Sequence, residues 1–509
     1  MENDTIAGIA SGMGGGIGII RISGDHALRA VGEVFRTQKF LKSENKKWDA
    51  DFFQKQETHT IHYGFITDGD SVVDEVIVLL MKAPKSYTCE DVVEIDSHGG
   101  AFVLQNILKL LLKHGVRLSE PGEFTKRAFL NGRIDLSQAE AVMKMISSRS
   151  EFALDTAVKQ LEGGLSKYIE AVREELLFHM GYIEAALDDP EHYSLDDYSE
   201  KLKIVVKEQM EKLETLLKNF DNGRMKSEGI NTVIVGKPNA GKSSFMNLLL
   251  EEDRAIVTNV AGTTRDILEE SVRFGDLILN LIDTAGIRQT DNLVESIGVK
   301  KAVEYIEQAD FIIYIVDILD SFDSEDQKII SLLKKKKGVI LYNKYDKISS
   351  LANGDTLENL SFVTDSDDKK LSDTEIQKSG LNENGSDDRM WIESELSNHF
   401  LDLDWKSIAF SAKEGLGLKE LENYMKELFL EGNLAFNDQV YLTSLRHKDA
   451  VESARDSLKE VLVAIEHLMP EDILMVDLMD AYKSLGLING DTASEDLVNK
   501  IFEEFCMGK

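Results

Sequence analysis

The segment Gly236-Lys237-Pro238-Asn239-Ala240-Gly241-Lys242-Ser243 has the residue types and spacing to hold a phosphate chain. Two glycines with four residues between them let backbone N–H groups turn inward around phosphate oxygens. Lys242 reaches the outer phosphates, and the Ser243 hydroxyl is placed to ligate Mg²⁺. Ser244 carries the loop on into a helix. Downstream, Asp283-Thr284-Ala285-Gly286 supplies a carboxylate that serves the Mg²⁺ shell through water, and a glycine placed to sense a γ-phosphate. Asn343-Lys344-Tyr345-Asp346 offers donors and acceptors that suit guanine, with Asp346 accepting from both ring-edge N–H groups. Ser411-Ala412-Lys413 would close over the same base. A chance Gly-rich turn explains the first motif alone, but not four motifs in this order. The sequence therefore implies a domain that binds GTP with Mg²⁺.

The switch segments are less regular. In Thr263-Thr264-Arg265-Asp266, Thr264 would complete the Mg²⁺ shell, while Arg265 is either a catalytic cation or a salt-bridged loop residue. A Ras-like switch places a water-orienting Gln directly after its Asp-x-x-Gly. That place belongs to Ile287, which neither donates nor accepts a hydrogen bond through its side chain. Another group must orient the attacking water, and no arginine finger can be assigned from the sequence.

Each motif needs an element to hold it. Apolar runs at Thr232 to Val235, Leu277 to Ile282 and Val339 to Tyr342 read as buried strands, and the segment after Ser243 has the spacing of a helix packed by one face. Ahead of this α/β domain, residues 5 to 118 read as an α+β domain. Ile17 to Ile22, Val72 to Met81 and Val92 to Ile95 are strand-like there, and Ala101 to Lys113 is an amphipathic helix. The glycines at 12, 14, 15, 16 and 18 precede a strand rather than link strand to helix, so they make no dinucleotide fingerprint. Pro84 to Glu94 turns into a strand and His98-Gly99-Gly100 leaves it; turn and cap chemistry alone can account for both. Helical patterns run from about Glu120 to Asn222. Pro121-Gly122-Glu123 and a cap at Asp135 open them, Asp188-Asp189-Pro190 breaks them, and Asn222-Gly223 is expected to end them. They return from about Val440 to Phe505, and if the two blocks meet in one bundle the GTPase domain is an insertion.

The 509 residues suit about three domains. A net charge of −33 excludes a broad basic surface for nonspecific nucleic-acid binding, although a local patch can still dock a folded RNA. Cys89 and Cys506 are too few for a disulfide framework, and no apolar run approaches the roughly 18 residues of a membrane span. A cytoplasmic setting is expected. Residues 351–400 carry 12 Asp/Glu against 4 Lys/Arg and read as a flexible acidic insertion in the GTPase domain.

Over essentially its whole length the chain resembles the MnmE (TrmE) family of tRNA-modification GTPases. The resemblance is carried by Asp4-Thr5-Ile6-Ala7, Gly16 to Gly24, Pro84 to Glu94, His98-Gly99-Gly100, Pro121 to Gly132 and the tail Phe505-Cys506-Met507-Gly508-Lys509. It implies a multidomain α/β and α fold: an N-terminal α+β folate-binding-like domain over 1–118, a helical domain built from two separated segments, 119–225 and 433–509, and an inserted Ras-like P-loop GTPase domain over 226–432. It implies a homodimer made through the N-terminal domain, with 5,10-methylene- or 5-formyl-tetrahydrofolate held at Arg21, Glu94, Arg133 and Lys509. It places K⁺ beside the γ-phosphate at Asn239, Thr258, Val260 through its carbonyl, and Thr263, in place of an arginine finger. Glu295 falls on the position that orients the attacking water, so Lys242 and Glu295 would carry hydrolysis. The implied partner is MnmG, which brings FAD and NADH, in a heterotetramer or larger complex. Together they would install an aminomethyl or carboxymethylaminomethyl group at C5 of the wobble uridine, position 34, of certain tRNAs. Cys506 is the family's candidate nucleophile near the folate carbon, and a buried inert cysteine is the open alternative.

Two features depart from the family pattern. Cys89 replaces the usual Gly of a Thr-Gly-Glu-Asp segment, so the backbone angles of that loop are expected to differ, and the glycine loop lacks a Pro-Gly-Arg. Arg133 stands where either Lys or Arg would serve. The alternative function is a non-catalytic GTPase switch in ribosome assembly or signalling; a terminal thiol and cation, Cys506 and Lys509, favour the enzyme.

Overall fold

The computed structural model describes the chain apart from residues 1–3, 44–46, 149, 219, 252–268, 276, 284–304, 321–323, 335, 348–402, 404, 431–439, 504, 506–507 and 509. The acidic stretch 351–400 therefore lies outside the described residues. Two units form: residues 1–147, 155–220 and 440–509 make one, and residues 148–154 and 221–439 the other.

The first unit opens on a mixed sheet. Its strands are β1 (Ile6–Ile9), β2 (Ile17–Ser23), β3 (Phe35–Arg36), β4 (Thr60–Asp68), β5 (Ser71–Met81), β6 (Val92–His98) and β7 (Arg117–Leu118). Their order is β3-β4-β5-β6-β2-β1-β7, antiparallel except where β7 joins β1. Because side chains alternate along a strand, Ile20, Ile22 and Ile95 enter a core with the helices Ala27–Val34 and Ala101–Lys113. The second helix buries Leu104, Ile107 and Leu111 there, each contributing about 2 kcal/mol. The same alternation turns Arg21 and Glu94 to the other face, and the β2–β6 register sets them opposite each other.

Helical periodicity builds the rest of this unit. Gly164–Asp188, Tyr198–Lys218, Leu445–Glu466 and Glu471–Asn489 share one apolar core, although residues 221–439 of the second unit intervene in sequence between the second and third of these helices. The helix Glu495–Glu503 packs Val498 and Phe502, followed by Phe505, against Ala128, Leu136 and Ala139. Lys126 donates to Asn499 across the same contact at 2.7 Å.

One expectation needs correction. Asn222-Gly223 does not end a helix: a helix runs over Phe220–Glu228, and the chain turns away only at Gly229, whose N–H still bonds the Met225 carbonyl. Arg224 within it is anchored to Asp310 at 2.5 Å, so a tertiary ion pair outweighs the turn preference of the dipeptide. Cys89 adopts φ +60, the left-handed conformation a glycine would favour. The loop is fixed around it: Thr88 and Ser23 hydroxyls meet at 2.6 Å, Asn131 donates to the Thr88 carbonyl at 2.7 Å, and Ser86 donates to the Glu90 carbonyl at 2.6 Å. Left-handed geometry costs a side chain about 1–2 kcal/mol, which these bonds offset.

The second unit is a doubly wound sheet. Strands β8 (Ile230–Val235), β9 (Glu269–Phe274), β10 (Leu277–Asp283), β11 (Phe311–Asp317), β12 (Gly338–Asn343) and β13 (Lys406–Ala409) run in the order β13-β12-β11-β8-β10-β9. All neighbours are parallel except β9 with β10. The strands flanking β8 are the later β10 and β11, so the crevice beyond the carboxyl end of β8 is where such a sheet takes its ligand.

Candidate nucleotide site

At that crevice β8 gives way to the phosphate loop, and the helix Lys242–Glu251 starts directly after it, its first N–H groups facing the loop. The helix is held by Phe245 and Leu249, both fully buried. Gly236 and Gly241 are glycine for spatial reasons. A Cβ on Gly236 would lie 2.3 Å from the Ile315 carbonyl oxygen, and one on Gly241 2.0 Å from the Asn343 amide nitrogen, both at positive φ. Asn239 between them also has positive φ, +61. Lys242 lies back along the loop and donates to the Gly236 and Lys237 carbonyls at 2.7 and 2.6 Å.

Three motifs meet in one cleft of about 690 Å³. The phosphate loop contributes Asn239, Gly241, Lys242, Ser243 and Ser244; the guanine motif contributes Asn343, Lys344 and Asp346; Ala412 and Lys413 close the side. Asn343 ties them together. It is 2% exposed; its amide donates to the Ala240 carbonyl at 2.7 Å and its oxygen accepts from the Ala412 N–H at 3.0 Å. Ser411, also buried, donates to an Asp346 carboxylate oxygen at 2.7 Å and so orients that carboxylate. The Lys344 ammonium turns to Asp317 at the end of β11, 2.5 Å away, leaving its stem along the cleft. A base lying between Asp346 and Ala412 would have its phosphates over the loop and Ser243 beside them for a divalent cation. The donor set fits GTP and Mg²⁺.

Part of the expected site is not placed. Thr258, Val260, Thr263, Thr264 and Arg265, then Thr284, Ala285, Gly286, Ile287 and Glu295, lie outside the described residues. Asp283 ends β10 by its backbone, and its side chain is likewise outside them. Other contributors are visible only in the fold. Lys347 lines the cleft one residue beyond the guanine motif. Lys237, a residue of the phosphate loop, carries its ammonium to Asp326 at 2.5 Å, and the Tyr314 hydroxyl bonds the same buried carboxylate at 2.7 Å. Asp326 sits on a helix far along the chain, so no local signal announces the contact.

Comparisons with known proteins bear on the whole chain. Residues 5–133 match the family described as GTP-binding protein TrmE N-terminus, and residues 136–506 match the MnmE helical domain. A protein named tRNA modification GTPase MnmE from Lachnoclostridium phytofermentans is 45% identical over 100% of both chains. One of the same name from Acetivibrio thermocellus is 41% identical over 100% of both. The chain belongs to the MnmE (TrmE) family of tRNA-modification GTPases. It is a GTP hydrolase of that family. A solved structure of Era from Aquifex aeolicus with GDP·AlF4⁻ is 22% identical, covers 45% of this chain and 66% of its own, and has a TM-score of 0.27, too low to bear on function. Among the described residues no helix is long and apolar enough to cross a membrane.

In this MnmE-family chain a second cluster forms in the first unit. Arg21 Nε lies 2.7 Å from Glu94 Oε1, as their register requires. The Arg21 guanidinium also stands 5.1 Å from the Tyr87 ring and 5.7 Å from the Phe124 ring. Arg133 stands 4.8 Å from the same Tyr87 ring and donates to the Tyr87 carbonyl at 3.2 Å. Gly508 of the tail passes against Ile9 and Gly8, and Gly8 abuts Phe124. Cys506 and Lys509 lie outside the described residues. Behind the cluster, Arg127 joins Asp4 at 2.6 Å, Glu123 at 3.0 Å and Glu90 at 3.1 Å, while Arg117 joins Asp4 and Glu123, each at 2.6 Å. The bond from Arg117 holds the Asp4 carboxyl below the usual carboxylate range. Burial pushes the Glu123 carboxyl up, but Arg117, the Glu120 N–H and Arg127 outweigh it and the carboxyl is also held low. Glu90 and Thr88 of the Pro84 to Glu94 stretch thus fasten the loop, whereas Tyr87 and Glu94 turn to the cationic cluster.

Proposed function

We propose that this chain hydrolyses GTP to drive tRNA modification. With MnmG, which supplies FAD and NADH, it installs the aminomethyl or carboxymethylaminomethyl group at C5 of the wobble uridine of certain tRNAs. The observation that carries the reading is the match along the whole chain to proteins named tRNA modification GTPase MnmE. The chain acts as a homodimer joined through its N-terminal domain, the GTPase domain being an insertion between the two helical segments, which share one core.

In the nucleotide cleft Asp346 and Ala412 bind the base, Lys242 and the loop N–H groups bind the phosphates, and Ser243 with Thr264 holds Mg²⁺, Asp283 reaching it through water. Asn239, which lines the cleft, would hold K⁺ with Thr258, Val260 and Thr263. That ion supplies the positive charge an arginine finger supplies elsewhere. Glu295 orients the attacking water. The Arg21, Tyr87 and Arg133 cluster fits a ligand that is both planar and anionic, as a reduced folate is. Glu94 and Lys509 complete that site, and Cys506 stands near the one-carbon unit.

Bulk tRNA from a bacterium lacking its own homologue, complemented with this chain and its own MnmG, tests the reading by nucleoside mass spectrometry. The C5-modified uridine is expected with the wild type. Its absence while the protein is soluble and hydrolyses GTP refutes the modification role. Hydrolysis is expected to be faster in KCl than in NaCl at equal ionic strength, and equal rates would count against the Asn239 assignment.

A further inference from the structure

We propose that Tyr87 is a positioning residue of the folate site and that Arg133, rather than Arg21, presents its cation to the carboxylate of the ligand; the proposal rests on the folate reading above. The two arginines look equivalent in sequence, but their surroundings differ. Arg21 is neutralised by Glu94 at 2.7 Å and lies near two rings, with its side chain 20% exposed. Its guanidinium is committed within the fold. Arg133 is exposed, and among the described residues the contacts that orient it come from one: the Tyr87 ring at 4.8 Å and the Tyr87 carbonyl at 3.2 Å.

Tyr87 is itself immobilised. Its hydroxyl meets that of Thr125, which is fully buried, at 2.9 Å. Its neighbour Thr88 is bonded to Ser23 through the side chain and to Asn131 through the carbonyl. A flexible cation on a loop loses side-chain entropy when it closes on a carboxylate. Stacking on a fixed ring and donating to a fixed carbonyl removes part of that loss beforehand. The arrangement also gathers two guanidinium groups around one ring, which is repulsive unless each has an anion nearby. Arg21 has Glu94; the ligand's carboxylate fills that role for Arg133.

The test is calorimetric titration of 5-formyltetrahydrofolate into the full chain and its Tyr87→Leu, Tyr87→Phe and Arg133→Gln variants, with thermal melts alongside. Tyr87→Leu and Arg133→Gln are each expected to weaken binding about tenfold. Tyr87→Phe keeps the ring and is expected to stay within about threefold. Combining Tyr87→Leu with Arg133→Gln is expected to weaken binding little beyond either alone, since both act through one contact; a general loosening of the fold would not give that. Wild-type affinity in Tyr87→Leu, additive losses in the double variant, or a Tyr87→Phe as weak as Tyr87→Leu overturns the proposal while leaving the folate site intact. Should Tyr87→Leu fail to fold, full affinity in Arg133→Gln, whose side chain is exposed, overturns it alone. No binding by the wild type overturns the folate reading and the proposal together.

Discussion

Replacing Asn343 by Ala is expected to loosen the nucleotide cleft at its junction. Asn343 is 2% exposed and makes two bonds at once, to the Ala240 carbonyl at 2.7 Å and from the Ala412 N–H at 3.0 Å. Alanine removes both and leaves two backbone groups, at residues that are 1% and 8% exposed, without that partner. Each such loss costs about 1–3 kcal/mol. Water entering from the open cleft recovers some of it, so a net of about 3 kcal/mol is expected. The loops released are those that hold phosphate and base, so the cost falls mainly on binding, as about a hundredfold loss of GDP affinity at 1.4 kcal/mol per decade. Fluorescent GDP titration and its dissociation rate measure this directly. Ser411→Ala is the internal scale: it removes the 2.7 Å bond to Asp346 and the longer one accepted from the Glu414 N–H at 3.3 Å, and is expected to cost at most about tenfold. Affinity within threefold of wild type in Asn343→Ala would refute the view that this side chain holds the cleft together.

Asp346→Asn replaces a carboxylate that accepts two guanine N–H bonds by an amide that offers one acceptor and a donor; GTP affinity is expected to fall by about a hundredfold and xanthosine triphosphate, with oxygen in place of the exocyclic amine, to bind better than GTP in a competition assay. Cys89→Gly relieves a side chain at φ +60 but adds unfolded-state entropy, so a gain of about 0.5 kcal/mol is expected, while the β-branched Cys89→Val loses about 1–2 kcal/mol, both read by thermal unfolding. Burial pushes the fully buried His447 imidazole below its ordinary range, with Glu140 beside it offsetting part. The unfolded chain then binds more protons below about pH 6.5, so stability is expected to fall as pH drops from 7 toward 5.5, by up to about 1.4 kcal/mol per unit, and His447→Gln to flatten that slope relative to wild type.

The phosphate loop was legible because its chemistry is local. Consecutive backbone N–H groups do the binding, so the glycines, Lys242 and Ser243 must be contiguous, and β8 and the following helix are what a buried apolar run and one-face spacing dictate. The guanine motif was legible for the same reason. What joins them was not: the Asn343 bond to Ala240 and the Asp326 bond to Lys237 span long sequence separations, and Asn or Asp is an ordinary residue at either place. Where sequence preference and tertiary bonding disagreed, bonding prevailed. Cys89 keeps a glycine's geometry because Thr88, Glu90 and Ser86 are each held, and Gly223 stays helical beside the Arg224 to Asp310 pair.

The same contrast separates Arg21 from Arg133. Residue type marks both as cations suited to an anion, and a motif reads them alike. Strand register separates them, because it places Glu94 directly opposite Arg21, whereas Arg133 follows a helix rather than lying on the sheet. A charge already neutralised within hydrogen-bond distance has less to gain from a second carboxylate, whereas an exposed guanidinium oriented by a ring and a carbonyl has most of its strength left to give. What a charged residue in this fold can offer a ligand is therefore set by which neighbours the fold brings to it, and on the proposed folate reading the uncharged Tyr87 orients the cation left exposed, Arg133.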